Sequence, residues 1–267
     1  TSSFNFSLNR NKVVTILGED NDGDGVEDDL ISSGIFIGES LGTIYTYKVI
    51  GIWQQEDEDN GAIMEGMRPG YYRGEDLPYE TTDENGNVIT EEPDGKLTSD
   101  KDRQIIGNNN PNFRWSLTNN FSYKNWSLMV YLYSIWGGNG WYQSTSAPYA
   151  DWGAFTERSN SVVWDYWTPE NTNALYPRPD YWDKTPYRIH KYFDRSFIKL
   201  QKVALSYDFT SMVKPIGIQG LTATISSDNL ASYAPHWVGL DPETGQGLRA
   251  SSRPSLRTIL FSVALNF

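Results

Sequence analysis

The sequence lacks cysteine and contains no long apolar run, and each of these two gaps excludes a class of protein or site. Without cysteine there is no disulfide framework and no thiolate metal site. No segment approaches the roughly 18 consecutive apolar residues of a membrane helix. Together with a mean hydropathy of -0.54, this excludes a helical membrane protein. A transmembrane β-barrel stays open, because only half of each of its strands faces lipid.

The charge and the amino terminus add two further limits. A net charge of -12 argues against nucleic acid as a partner, because such binding depends on Lys and Arg neutralising phosphates. Thr1 is not followed by a basic and then an apolar region, so no signal peptide is visible. We expect either that a leader has been removed or that the chain is the tail of a longer protein.

The last residues, Leu256 to Phe267, form the most informative segment. Ile259, Phe261, Val263 and Leu265 alternate with small or polar side chains, which is the period of a strand with one apolar face. A strand of this kind that ends on an aromatic residue is typical of the closing strand of an outer-membrane barrel.

Similar alternation predicts about seven strands, and several exceed the roughly 5–6 residues of an average globular strand. A tilted strand that crosses a bilayer needs about 9–11 residues, so the lengths favour an all-β barrel. The predicted strands are Phe4 to about Leu17, Gly42 to Trp53, Phe113 to Tyr123, Trp126 to Ser134, Phe197 to Phe209, Leu221 to Leu230 and Leu256 to Phe267.

The connections between these strands sort by length. With Phe267 taken as periplasmic, the long connections Gln54 to Asn112, Gly137 to Ser196 and Ala231 to Pro254 fall outside the cell. The turns Lys124-Asn125 and Thr210 to Gly220 fall in the periplasm, as expected for an outer-membrane barrel. One connection, Gly18 to Leu41, is an exception because it is long and yet counts as periplasmic.

Two of the long connections have unusual compositions. Gln54 to Asp102 carries 15 Asp or Glu against 4 Lys or Arg, which predicts a solvated surface excursion and not a core element. Gly137 to Ser196 is rich in Trp and Tyr, so we expect it to pack on itself, on a partner or on a ligand.

Several motifs resemble those of the SusC/RagA-type TonB-dependent transporters. Gly38 to Trp53, with the sequence GESLGTIYTYKVIGIW, is similar to that family's GEPLGSFYGYKxxGIF segment, and Asp102 to Asn108 is similar to its DRxxIGN segment. Arg195 to Leu200 resembles the family's sFiKL strand, and Gly239 to Glu243 resembles its G.DPE motif. The order and spacing of these pieces extend over nearly the whole chain.

The resemblance implies that residues 1–267 are the C-terminal segment of a TonB-dependent receptor barrel. Such a barrel has about 22 strands, of which this chain would hold about 7–8, with long extracellular loops. The plug domain and the N-terminal strands would lie outside this chain. The family imports oligosaccharides or peptides through the outer membrane of Gram-negative bacteria. Its partners are a SusD-like surface lipoprotein, outer-membrane lipid, and TonB, which acts through the plug.

The segment from Asp20 to Asp29 resembles Asp-rich calcium loops. It places oxygen ligands at alternating positions and a glycine at the sharp turn, as Ca²⁺ requires. Ile31 stands where an EF-hand has its bidentate Glu, so this is not an EF-hand. A solvated acidic turn is the alternative interpretation. The candidate calcium ligands are Asp20, Asp22, Asp24, Val26 and Asp28.

The aromatic residues of the second long connection form the other candidate site. Flat aromatic faces suit the C–H surfaces of sugar rings, while the alternative is packing against a partner or within the loop. The candidate substrate or partner contacts are Trp136, Trp141, Tyr142, Trp152, Trp164, Trp167 and Trp182.

Catalysis finds little support in the sequence. His190 and His236 lie in loops without a partner pattern, and no nucleophile elbow or phosphate-binding glycine loop is present. We therefore predict that the protein is not an enzyme. Two alternatives to the transporter remain: a soluble, calcium-dependent β-sandwich for carbohydrate binding or adhesion, and a secreted glycan hydrolase.

Overall fold

The computed structural model describes residues 1–20, 23, 25–84, 86–138, 165–187, 189–244 and 255–267, without the side chains of Trp182 and Asp183. Within these residues six strands form one antiparallel sheet, in the order in which they occur along the chain. They are β1 (Ser2–Ser7), β8 (Phe113–Tyr123), β9 (Trp126–Trp136), β10 (Phe197–Asp208), β11 (Gly220–Tyr233) and β12 (Thr258–Asn266). The predicted all-β, antiparallel class is confirmed.

The two faces of the main sheet differ sharply in polarity. Strand register puts Leu117 beside Leu132, and Ile225 beside both Leu205 and Phe261. We call this side the apolar face; its side chains are exposed toward the outer strands, as for Phe261 at 68%, and partly exposed in the middle of the sheet, as for Leu117 and Leu132. The opposite, polar face carries Arg114, Ser116, Thr118, Tyr131, Tyr133, Lys199, Lys202, Ser206, Thr224 and Ser262.

Aromatic rings lie at both ends of the apolar face. At one end Phe113 stacks on Trp136, with ring centroids 6.4 Å apart. At the other end Trp126 packs edge-on against Tyr207 at 4.7 Å, and Tyr207 contacts Phe209 at 4.5 Å. The apolar band is therefore bordered by aromatic residues on two levels, an arrangement typical of strands that cross a bilayer.

The pairing of β1 with β8 corrects the predicted chain path. Ser7 lies opposite Arg114, so β1 ends at Ser7 and does not continue to Leu17, and residues 8–112 form a single connection. This connection leaves the same end of the sheet as residues 137–196 and 234–257, and we call this the loop end. The short connections 124–125 and 209–219 lie at the opposite, turn end. The prediction that Gly18 to Leu41 is a periplasmic connection was therefore wrong.

The prediction that Gly42 to Trp53 forms one strand of the main sheet was also wrong, because these residues belong to small sheets within the first connection. There β2 (Thr43–Tyr47) pairs with β7 (Arg103–Asn108), and β3 (Val49–Ile52) pairs with β4 (Tyr72–Gly74). The physical reason is burial, since Ile44 and Trp53 are 6% and 2% exposed and pack inward. A third pair joins β5 (Tyr79–Thr82) to β6 (Val88–Glu91).

The remaining elements are short. The helices are α1 (Gln55–Asp59), α2 (Tyr181–Lys184) and α3 (Thr210–Val213), and 3-10 turns span Ile31–Ser33 and Lys214–Ile216. Among the residues with described positions, no helix is both long and apolar enough to span a membrane.

Among the described residues, the larger of the two hydrophobic clusters lies outside the main sheet. Tyr181 and Ile189 of the second connection pack against residues of the first, and the Tyr181 ring lies edge-on to Tyr71 at 5.3 Å and to Tyr72 at 5.4 Å. The buried members of this cluster are Trp53, Met67, Tyr71, Tyr72, Leu97, Tyr181 and Ile189. The acidic segment Gln54 to Asp102 thus contributes core residues between its charges, and its description as a solvated excursion alone was wrong.

The third connection packs against the second connection through another cluster. Trp237 packs against Tyr176 and Phe193 of the second connection, and all three side chains are buried. The described parts of the three long connections therefore form one packed unit at the loop end. We call this unit the loop body; it consists of the described residues within 8–112, 165–196 and 234–244.

Candidate functional site

The loop body contains an open pocket of about 620 Å³ between the first and second connections. A pocket of this size is in the range of small-molecule sites. Its lining residues carry both charges and rings, among them Glu58, Arg68, Tyr166, Trp167, Arg178 and Asp180. We call it the Trp167 pocket.

Trp167 is the one predicted contact residue that the described structure places in this pocket. Its indole Nε1–H donates to Oε1 of Gln54 at 2.9 Å, which holds the ring in one orientation. The ring lies directly over the backbone of Gly70, where a Cβ atom would come within 2.4 Å of Trp167 Cε3. At 5% exposure, Trp167 offers the pocket only a small part of its surface.

One guanidinium group of the Trp167 pocket forms an ion pair inside the pocket. Arg178 Nε donates to Oδ1 of Asp180 at 2.5 Å, so that cation is already paired. The hydroxyl of Tyr71 is buried close to this pair, and burial together with the charge of Asp180 raises the pKa of Tyr71. The pocket thus combines aromatic rings with charged groups of both signs, and one of its cations is ion-paired.

Trp136 lies elsewhere. It is the last residue of β9, and its carbonyl accepts the amide of Asn112 at 2.7 Å while its ring stacks on Phe113. By register it belongs to the apolar face at the loop end. The structure does not bring Trp136 and Trp167 together.

The other predicted contacts cannot be placed in the same way. Trp141, Tyr142, Trp152 and Trp164 lie outside the described residues, and Trp182 is in α2 with its side chain outside the description. Their contact with a substrate or partner stays a prediction.

In the Asp-rich segment, two carboxylates bind backbone amides. Asp20 accepts the amides of Gly23 at 2.7 Å and Gly25 at 2.9 Å, and Glu27 accepts the amide of Ile16 and the hydroxyl of Thr15, both at 2.6 Å. The hydrogen bonds from Thr15 and from the Gly18 amide lower the pKa of Glu27 to about 2. Hydrogen bonds to both carboxylates therefore close this part of the chain into a loop.

Calcium binding stays a prediction for this loop. Asp22 and Asp24 lie outside the described residues, and Val26 is 63% exposed. No group of three or more His, Cys, Asp or Glu suited to a metal ion occurs in the part of the chain that the structure describes. The two amides bound to Asp20 leave further carboxylate lone pairs, so the residue type and the turn remain compatible with an oxygen-liganded cation.

Sequence reasoning missed a buried ion cluster at the loop end. Lys199 Nζ lies 3.0 Å from Oδ1 of Asp241 and 2.6 Å from Oε2 of Glu243. Arg195 adds hydrogen bonds to the carbonyls of Pro242 at 2.9 Å and Glu243 at 2.7 Å. The cluster ties the third connection to the polar face of the main sheet.

A signal for this contact was present in the motifs. Lys199 belongs to the segment that resembles sFiKL, and Asp241 and Glu243 belong to the one that resembles G.DPE. Likewise the family-like segments around Ser40 and Asn108 meet in the loop body, where the Asn108 amide group donates to the Ser40 hydroxyl and the Asn109 amide bonds the Gly42 carbonyl at 2.9 Å. Each pair of motifs is a pair of contacting segments.

These features define a class of structure: an antiparallel, barrel-type wall with one apolar face, whose long connections at one end fold into a body of their own. No protein-family model matches the chain. Solved structures show the same fold, with "Structure of the RagAB peptide transporter" matching at a TM-score of 0.61 and 20% identity over 100% of this chain. A second, of the RagAB peptide importer in the "open-open" state, matches at 0.60 and 17%.

Curated relatives are similar over nearly the whole chain. "TonB-dependent receptor P3" and "TonB-dependent receptor P39" of Formosa agariphila are 27% and 26% identical and cover 100% and 92% of the chain. "TonB-dependent receptor SusC" of Bacteroides thetaiotaomicron is 25% identical and covers 99%. The predicted resemblance to SusC/RagA-type TonB-dependent receptors is thus confirmed. The chain spans only 24–26% of these relatives' length and 26–27% of the RagAB chains, consistent with part of a barrel.

Proposed function

We propose that this chain is part of the barrel of an outer-membrane, TonB-dependent importer of oligosaccharides or peptides. The observation that carries the proposal is the main sheet, with its exposed apolar face, its aromatic borders at both ends and its polar opposite face. In a bilayer the apolar face contacts lipid and the polar face lines the interior. The loop end then faces outside and the turn end the periplasm.

The relatives support the proposal at the level of their names. They are called receptors and transporters, which favours transport over the glycan hydrolase. The RagAB title names peptides, and it does so for that protein alone. For this chain, a SusD-like lipoprotein over the loop body and TonB acting through a plug are proposed by analogy with SusC-type systems.

The soluble β-sandwich is disfavoured by exposure. A sandwich buries the apolar face of one sheet under a second sheet. Here Phe4, Ile259 and Phe261 are 62%, 68% and 68% exposed, and the smaller described sheets all lie in the loop body at one end.

The test uses the full-length protein in its native membrane. We expect it in the outer-membrane fraction, soluble only with detergent and migrating faster in gels before heating than after it. A strain without the gene should lose growth on the transported solute and recover it when the gene is restored. Recovery of the full-length protein in the soluble fraction without detergent would contradict the proposal.

Calcium binding by the loop from Asp20 to Asp28 is a separate prediction with its own test. Ca²⁺ should raise the melting temperature of the full-length protein, Mg²⁺ should do so less, and Asp20→Asn should reduce the effect. Glu84→Gln, in another exposed part of the loop body, is the matched control. An unchanged melting temperature over a wide Ca²⁺ range would remove the prediction.

A further inference from the structure

A second pocket in the loop body differs from the Trp167 pocket in its charge. It has a volume of about 350 Å³ and lies where the β2–β3 junction, β7 and the segment after Ile189 meet. Its polar lining consists of Lys48, Gln104, His190, Lys191 and Tyr192. Among the lining residues that the structure describes, it therefore combines two ammonium groups with an imidazole and has no carboxylate, in a chain whose net charge is -12.

The two lysines of this pocket are compensated differently. Lys48 Nζ binds both carboxylate oxygens of Glu75, at 3.0 and 3.2 Å, and Glu75 also accepts from Gln104 at 2.6 Å. Lys191 makes no ion pair with any residue whose position is described, and its ammonium lies 5.6 Å from the ring of Phe193. One positive charge of the pocket thus has no carboxylate partner among the residues with described positions.

Partial burial of Lys191 favours the binding of an anion beside its ammonium group. Lys191 and His190 are partly buried, and burial lowers the pKa of both side chains. A half-buried cation has lost part of its hydration, and an anion that binds beside it restores the lost stabilisation. An exposed lysine would gain little stabilisation from such an anion, because water already solvates its ammonium group.

We propose that this pocket binds a carboxylate group carried by the imported solute. The uncompensated charge is a single one, which matches a carboxylate and not a phosphate dianion, and Lys191 is the proposed direct contact. The volume accommodates one sugar or amino-acid residue around that group. This inference rests on the proposed import function, because it assigns the ligand to the transported solute.

The experiment compares charged and neutral forms of the same ligand on the full-length, detergent-solubilised protein by titration calorimetry. One arm uses a short galacturonate oligosaccharide and its methyl ester, and the other a short glutamate peptide and its glutamine counterpart. We expect the charged form to bind at least about tenfold more tightly in one arm, and that arm identifies the source of the carboxylate.

Variants assign the preference to the pocket. Lys191→Met should remove most of the charge preference, and Lys191→Arg should retain it. Lys214→Met, at the turn end, is the matched control and should change nothing. Should Lys191→Met fail to fold, the unmodified protein still provides a test, because high salt should weaken binding of the charged form much more than that of the neutral form.

Two results would overturn the inference: no charge preference in either arm, or a preference that survives in Lys191→Met. Neither result would contradict the proposed import function, which is tested separately by membrane localisation and by growth of the deletion strain. Conversely, a protein that binds carboxylates but does not reside in the outer membrane would contradict the import function alone.

Discussion

Lys199 and Asp241 form an ion pair between the main sheet and the third connection, with Nζ and Oδ1 3.0 Å apart and both side chains at most 4% exposed. Asp241 also accepts the amide of Glu243 at 2.9 Å and the hydroxyl of Ser255. A buried pair of this kind contributes more to which conformation forms than to net stability, because desolvation offsets most of the attraction. The pair joins the third connection to the polar face of the main sheet, and we expect it to hold the connection in that position.

The first prediction concerns removal of the Lys199 charge. Lys199→Met leaves Asp241 buried without its cation, and we expect a local loss of about 3–5 kcal/mol. Lys202→Met is the matched control, because Lys202 lies on the same face of β10 with an exposed partner, Asp228, at 3.9 Å, and should cost at most about 1 kcal/mol. Hydrogen exchange of residues 238–244 measures both. Equal exchange in the two variants would contradict the assigned role.

The second prediction follows from the ionisation of Asp241. Burial raises the pKa of Asp241, but the hydrogen bonds from Ser255, Lys199 and the Glu243 amide together outweigh it and hold the pKa below its usual 3.8. A depressed pKa in the folded state contributes stability that is full above 3.8 and is lost as pH falls through the folded value. Exchange of residues 238–244 should therefore accelerate in that acidic range, and Asp241→Asn should flatten this dependence.

The third prediction tests the packing beneath Trp167. Gly70 has φ +88°, and a Cβ there would lie 2.4 Å from the Trp167 ring and 2.9 Å from Arg178 Cδ. Gly70→Ala should therefore add an overpacking cost of about 1–3 kcal/mol to the cost of the left-handed backbone. Gly61→Ala is the control, since Gly61 has φ +68° with open space and should show only the backbone cost, about 1–2 kcal/mol. Melting temperatures that fall equally would contradict this packing.

The fourth prediction tests the faces of the main sheet. Leu205 lies on the apolar face, and its neighbour Ala204 lies on the polar face opposite Ser226. With the apolar face in lipid, Leu205→Lys should cost about 2–4 kcal/mol, whereas Ala204→Lys should cost much less. Folding into lipid vesicles, followed by denaturant titration, measures the difference. A larger loss for Ala204→Lys would reverse the assignment of the faces.

Local patterns predicted the wall well and the connections poorly. The long strands of the wall from Phe113 onward, and the shared face of Ile259, Phe261, Val263 and Leu265, followed from a period of two alone. The run Gly42 to Trp53 shows the limit of that method. Its β-branched and aromatic residues do form strands, but the pattern is the same for a lipid-facing wall and for a small sheet packed on a core.

For the candidate sites as well, the sequence predicted local features but not the contacts between distant segments. The aromatic composition predicted that the second connection must pack or bind, and Trp167 does line a pocket. Nothing in the spacing of Lys48, Gln104 and Lys191 indicated a second pocket, because they come from segments far apart in the chain. The Lys199 cluster was visible only as two separate motifs.

The sequence by itself determined the β class, the long amphipathic strands, the absence of a membrane helix and the resemblance to SusC-type receptors. These features depend on neighbours along the chain, where side-chain alternation and motif order can be read directly. Only the tertiary structure decided that β1 pairs with β8, that the acidic segment holds a core, and that Lys191 lies beside Lys48. The pairing of β1 with β8 and the approach of Lys191 to Lys48 join residues more than a hundred positions apart. The core of the acidic segment depends on how side chains pack in three dimensions, and no local pattern specifies either kind of contact.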